Sequence, residues 1–172
     1  MNDLLWSPSK DKIKKSELFK FCEVLERSNI VQINQNYQKL WKWSVEYPEK
    51  FWSTCWDLLK IKGEKGSRVI EANAIFYKTK FFPDAKLNFS ENILSKKDNT
   101  TAIHFRSENG FEKKINWKTL YKNVCKFSAF YKTLNLKKGD CVAAYVPNNI
   151  ETIISFLACA KNGQIWSSCS PD

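Results

Sequence analysis

The chain has 172 residues, 43% of them hydrophobic and 27% charged, with only five Gly and five Pro. That composition excludes a disordered or collagen-like polypeptide and supplies one buried core, or one and a half domains. The 28 Lys and Arg against 18 Asp and Glu leave +10. The arginines, however, are only Arg27, Arg68 and Arg106, and the lysines are scattered through every segment. The charge therefore reads as solvated faces with weak steering of small anions, not as an arginine-lined nucleic-acid footprint.

The stretch from Met1 to Pro8 has no basic region followed by an apolar one, and no apolar run reaches the ~20 residues of a membrane span. Six cysteines, Cys22, Cys55, Cys125, Cys141, Cys159 and Cys169, contain no CxxC pair or metal-ligand spacing. Most lie in apolar runs, so they are expected as buried small hydrophobes in a cytoplasmic protein. The sequons at Asn88 and Asn99 are then accidental.

Helices are expected up to about Leu59. Ser16 caps one whose Leu18, Phe21, Cys22 and Leu25 form a single stripe. Tyr37, Leu40, Trp41 and Val45 repeat the spacing. Pro48 suits a first helical position and is followed by a stripe of Phe51, Cys55, Leu58 and Leu59, with Trp52 and Trp56 on a second face. Trp41, Trp43, Trp52 and Trp56 fall within sixteen residues. At helical spacing, without Arg or Gly between them, they suit packing between helices better than base or sugar stacking.

Lys60 to Ser67 reads as a loop, Arg68 to Tyr77 as weakly strand-like, Phe81 to Asn88 as a loop shaped by Pro83 and Asp84, and Ser90 to Leu94 as a helical turn. The character changes after Asp98-Asn99, which is the expected domain boundary: 1–98 mainly helical, 99–172 the start of an α/β domain. Thr101 to Arg106 alternates, Asn109-Gly110 is a hairpin signal, and Phe111 to Ile115 returns. Asn116 caps a long helix with Leu120, Val124, Phe127, Tyr131 and Leu134 on one side.

Cys141 to Val146 has no polar alternation, as in a central parallel strand covered on both faces. Asn148 with Glu151 resembles a capping box for the helix that carries Ile150, Ile153, Ile154 and Leu157, and Gly163 ends it. Gln164 to Ser168 starts another strand. Strand, helix and strand in this span make the first βαβ unit of an open, mostly parallel sheet, an α/β fold. With its strand edges unpaired, the unit is expected to be the N-terminal part of a larger protein, whose remainder would be its partner.

Little catalytic chemistry is present. His104 stands alone in the hairpin, and Gly63, Gly66, Gly110, Gly139 and Gly163 compose neither GxGxxG nor GxxxxGK. What remains is Ser167 to Asp172 at a strand's carboxyl end, where open α/β sheets form ligand crevices. An ordinary Ser/Pro/Asp turn would use the same residues.

Four segments nevertheless resemble one family. They are Trp43-Ser44-Val45-Glu46-x-Pro48-x-x-Phe51-Trp52, Phe82-Pro83-x-Ala85-x-Leu87-Asn88-x-x-Glu91-Asn92, Lys138-Gly139-Asp140-x-Val142-Ala143-Ala144-Tyr145-x-Pro147-Asn148, and Gly163-x-Ile165-Trp166 running on to Asp172. Together they are similar to the N-terminal part of acetoacetyl-CoA synthetases, AMP-forming acyl-CoA ligases of the adenylate-forming superfamily. Departures are Phe81-Phe82, Phe89-Ser90, and Gln164, which is polar where a small residue is usual.

The resemblance implies a full-length enzyme that activates acetoacetate with ATP and Mg²⁺ and passes the acyl group to CoA. It implies no catalytic residue and no metal ligand within these 172 residues, and it places Ser170, Pro171 and Asp172 near the pantetheine passage of CoA. No nucleic-acid or membrane partner follows from it. Two other functions stay open: a ligase for acetate or another short acid, and a basic nucleic-acid-binding module.

Overall fold

A computed structural model describes residues 5–171. The helices are α1 (Lys10–Lys14), α2 (Glu17–Arg27), α3 (Tyr37–Glu46), α4 (Pro48–Leu58), α5 (Phe89–Ile93), α6 (Trp117–Thr133) and α7 (Ile150–Lys161). The strands are β1 (Gly63–Glu64), β2 (Ile70–Glu71), β3 (Lys80–Phe81), β4 (Lys86–Leu87), β5 (Thr101–Arg106), β6 (Glu112–Asn116), β7 (Cys141–Tyr145) and β8 (Ile165–Cys169). They divide into two compact units, residues up to 61 with 65–85, and residues 62–64 with 86 onward.

The first unit is helical because its caps and apolar spacing agree. The Ser16 hydroxyl accepts from the Phe19 amide at 3.1 Å and starts α2, and Pro48 occupies the first turn of α4, where a missing N–H costs nothing. Leu25, Ile33, Leu40 and Trp43 form its buried core; complete burial of a side chain such as Leu25 contributes about 2–3 kcal/mol. Glu26 ties the intervening turn down by accepting from the Ile33 amide at 3.0 Å.

The α3 stripe differs from the expected one. Tyr37, Trp41 and Val45 are exposed, and Trp43, three residues after Leu40, is buried in their place, edge-on to Phe51 at 5.8 Å. The face of α4 carrying Trp52 and Trp56 is used, as expected, for packing: Trp52 meets Phe81 at 5.5 Å and Trp56 meets Phe82 at 4.9 Å. Phe82 adopts a left-handed φ of 47°. That conformation is costly for an aromatic residue. Its ring contact with Trp56 and its amide donated to the Val69 carbonyl at 2.7 Å offset the strain.

Only Ile70–Glu71 of the expected Arg68–Tyr77 strand is extended and paired; the Asn73 side chain accepts from the Ile75 amide and turns the chain into a short 3₁₀ segment, Phe76–Lys78. An ion-pair network fixes the neighbouring hairpin. Arg68 grips Asp84 through Nε at 2.9 Å and Nη2 at 2.6 Å and reaches Glu71 at 2.6 Å, while Lys80 meets Glu71 at 2.9 Å. This fork-on-carboxylate geometry holds Asp84 down to about 2, chiefly through the Arg68 hydrogen bond.

In the second unit Asn92 behaves like a strand residue turned sideways, accepting from the Lys62 amide at 2.8 Å and donating to the Lys62 carbonyl at 2.9 Å. β5 and β6 pair antiparallel, with Arg106 opposite Glu112. The connection is therefore the five residues Ser107 to Phe111, not a two-residue turn. Gly110 alone takes a positive φ there, 82°, while Asn109 accepts from the Phe111 amide.

Asn116 caps α6 at 2.7 Å from the Thr119 amide. Leu120, Val124 and Tyr131 are buried as expected, whereas Phe127 and Leu134 are exposed. Their place is taken by Ser128, whose hydroxyl donates to Asn162 at 2.7 Å and whose carbonyl accepts from the same amide at 3.0 Å. The helix α7 buries Ile150, Ile154, Leu157, Ala158 and Cys159. It joins β7 to β8, which run parallel with Val142 beside Trp166 and Ala144 beside Ser168. Gly163, at φ 72°, ends it.

The β7 face carrying Cys141, Ala143 and Tyr145 is exposed among the described residues, and one expectation is corrected. Of the cysteines only Cys159 is buried, and Cys141 and Cys169 are exposed. Alternation in a strand and burial of a thiol both depend on what packs opposite, which composition does not specify.

The Arg68 network generates a titration prediction. Because the folded Asp84 value lies below the unfolded one, its stabilising effect is complete above about pH 4 and is lost as pH falls toward 2. Carboxyl-carbon NMR of Arg68→Gln should show Asp84 returning to the ordinary carboxylate range. An unchanged Asp84 titration would show that Arg68 is not the cause.

Candidate active-site rim

The carboxyl ends of β7 and β8 stop at the same level, Tyr145 opposite Cys169, and the Val146 amide donates to the Cys169 carbonyl at 3.3 Å. After β7 the chain enters α7, capped by Asn149, whose side chain accepts from the Thr152 amide at 2.9 Å. The expected cap at Asn148 is thus displaced by one residue, and Thr152, not Glu151, completes the turn: its hydroxyl donates to the Pro147 carbonyl at 2.7 Å. Glu151 instead pairs with Lys113 at 3.0 Å and is held below its ordinary value by that hydrogen bond.

The rim is lined by exposed Ser167, Ser168, Cys169, Ser170 and Pro171. Asp172, expected with Ser170 and Pro171, lies outside the described residues. Two contacts shape the rim, neither legible in advance. The Tyr145 phenol donates to the Pro171 carbonyl at 2.8 Å, and the Trp166 indole donates to the Ser168 hydroxyl at 3.1 Å. Tyr145 is thereby a strut holding the end of β8 over β7.

An open groove of about 330 Å³ runs along α6, α7 and the sheet, lined by Phe127, Tyr131, Val142, Val146, Ser155 and Trp166 among others. Burial pushes the Tyr131 phenol up, so it stays a neutral hydrogen-bonding group against Ser155. Burial likewise raises the thiols of Cys22, Cys55 and Cys159, which makes them poor nucleophiles. His104 is half-exposed and 3.1 Å from Glu112, an edge-strand pair on the hairpin. No group of three or more His, Cys, Asp or Glu that could hold a metal occurs among the described residues.

The cap assignment is directly measurable. Asn149→Ala should lower urea stability of the α7-containing unit by about 1 kcal/mol. Asn148→Ala should change it by less than about 0.5 kcal/mol. The reverse order would return the cap to Asn148.

Residues 37–93 match the family described as acetyl-coenzyme A synthetase N-terminus, and residues 89–172 match the family described as AMP-binding enzyme. The chain is 34% identical over 169 residues to an acetoacetyl-coenzyme A synthetase of Rhizobium meliloti (strain 1021), covering 98% of this chain and 26% of that relative. It is 33% identical over 173 residues to an acetoacetyl-CoA synthetase of Xenopus tropicalis, covering 98% and 25%. The solved acetoacetyl-CoA synthetase from Streptomyces lividans superposes with a TM-score of 0.87 at 25% identity, over 99% of this chain and 27% of that one. The chain thus spans about a quarter of the length of the curated relatives it matches. Overlapping at residues 89–93, the two family matches together run from residue 37 to residue 172, and the chain shares its α/β fold with the solved acetoacetyl-CoA synthetase.

Proposed function

We propose that these residues are the N-terminal portion of an acetoacetate–CoA ligase. The carrying observation is the match to acetoacetyl-CoA synthetases over 98% of the chain, through the rim and not only the helical extension. In such an enzyme the acetoacetate carboxylate attacks the α-phosphorus of ATP and releases pyrophosphate. The CoA thiol, losing its proton, then attacks the acyl carbon and releases AMP. Splitting one hard substitution into two replaces an oxide leaving group with a far better one.

The side chains described here do not fit the triphosphate or Mg²⁺ that such chemistry uses. The rim offers hydroxyls, a thiol and a phenol, with neither a cationic clamp nor a carboxylate ligand set. No adenylation step is assigned to them. Neutral donors and acceptors do suit the amide-bearing pantetheine arm of CoA, and Ser170, Pro171 and Asp172 are proposed to border it. The exposed β7 face and the unpaired edges of the β7–β8 sheet are the surfaces that further polypeptide would cover.

The extension is proposed to give way to the AMP-binding domain between residues 85 and 99. The compact units divide at the first position, and the composition changes at the second. Cytoplasmic placement belongs to the same proposal and is supported by six free cysteines. No helix among the described residues is long and apolar enough to cross a membrane. A second reading, a ligase for acetate, is favoured by the acetyl-coenzyme A synthetase N-terminus match over residues 37–93.

The complete polypeptide separates these readings by acid-dependent ATP–pyrophosphate exchange. Acetoacetate should give the highest kcat/KM in a panel with acetate and propionate; preference for acetate would establish the second reading. Ser170→Trp should raise KM for CoA by about tenfold, a loss of about 1.4 kcal/mol, and leave the exchange reaction unchanged. Equal loss in both reactions would remove the pantetheine role from this position.

A further inference from the structure

At the other end of α7 from the Asn149 cap lies a second cavity that the ligase chemistry does not use. Its volume is about 250 Å³, and it is lined by Lys62, Lys97, Lys161, Ser90, Glu91 and Tyr121, with Asn88 and Leu94 completing it. Twelve residues of helix, Ile150–Lys161, separate it from the cap, roughly 18 Å at 1.5 Å per residue.

Three properties of this cavity point to an anion. Its lining carries three ammonium groups against one carboxylate, Glu91, and no ion pair joins Lys62, Lys97 or Lys161 to a carboxylate among the described residues. Lys97 stands over the Tyr121 ring at 4.1 Å, an arrangement that holds the ammonium in place without neutralising it. The third property is Ser90. It is completely buried, it lines the cavity, and its hydroxyl has no hydrogen-bond partner among the described residues. An unpaired buried hydroxyl costs on the order of 1–3 kcal/mol, so the position is unfavourable unless something enters to accept from it.

The Asn88 side chain in the same lining is already satisfied. The Asn88 amide donates to the Ala160 and Lys161 carbonyls at 2.9 and 3.3 Å and its oxygen accepts from the Glu91 amide at 3.0 Å. Those bonds also occupy carbonyls at the negative end of α7, which would otherwise repel an anion.

We propose that this cavity binds a small inorganic phosphate-type oxyanion, with Ser90 donating a hydrogen bond and Lys62, Lys97 and Lys161 supplying charge. Size favours the class: at about 250 Å³ the cavity is below the ~300–1,000 Å³ typical of sites for drug-sized ligands, which suits an inorganic anion better than a nucleotide. The lysines are surface-exposed, so each contributes modestly and affinity should be on the order of 1 mM.

The test uses the complete polypeptide and inorganic phosphate, with chloride at matched ionic strength as the control. Lysine acylation by an activated ester is mapped residue by residue by mass spectrometry. Phosphate should slow modification of Lys62, Lys97 and Lys161 by about two- to fivefold and leave exposed Lys39 and Lys132 unchanged. Lys97→Gln should reduce protection of the other two lysines. Ser90→Ala should abolish protection while melting, without phosphate, at the same or a higher temperature, because it removes an unpaired hydroxyl. Uniform reactivity at all five lysines would overturn the proposal. So would protection that survives both substitutions, or a Ser90→Ala variant that melts lower with protection intact, which would assign Ser90 to packing alone.

Discussion

The parallel pairing of β7 with β8 depends on α7. Parallel strands cannot be joined by a tight turn, so the chain must leave the sheet and return. The return is held by the apolar side of α7, where Ile150, Ile154, Leu157, Ala158 and Cys159 are buried, and by its packing with α6. Both ends of the helix are fixed, by the Asn149 side chain at the start and by the Asn162 amide with the left-handed Gly163 at the finish. With α7 set, the carboxyl ends of both strands arrive side by side, and the Tyr145 and Trp166 contacts then shape the rim from Ser167 to Pro171.

The same helix organises its far end. Asn88 reaches the last carbonyls of α7 and so docks α5, and α5 in turn fixes the Lys62 backbone through Asn92. Lys62 lies 30 residues before Asn92, so a segment distant in sequence is built into the α/β unit by two reciprocal amide bonds. One element therefore presents a neutral rim at its beginning and a lysine-lined cavity at its end.

Much of this was legible from side-chain chemistry. The caps Ser16 and Asn116, the helix-starting Pro48, the β5–β6 hairpin and the strand–helix–strand order all follow from local signals that tertiary contacts left intact. The departures from local pattern share one cause. Periodicity identifies that α3 has an apolar face, but Trp41 and Trp43 are equally apolar and only packing against Phe51 selects Trp43. At α7, Asn148 and Asn149 are chemically identical, and the choice falls to Asn149 because its oxygen reaches the Thr152 amide. The Tyr145 strut and the orphaned Ser90 hydroxyl left no sequence signal, since each arises from a meeting of distant segments. The expectation for Ser170, Pro171 and Asp172 comes from family resemblance and not from spacing.

The central claim is that α7 holds β7 and β8 side by side at their carboxyl ends, and the proposal built on it is that the rim borders CoA. Amide hydrogen exchange of the complete polypeptide, followed with and without CoA, tests it most directly. The account predicts slow exchange at Val146 and Ile165, whose amides are bonded across the strand pair, and added protection confined to residues 165–171 when CoA is present. Rapid exchange at both amides, or CoA protection that bypasses β8 altogether, would contradict it.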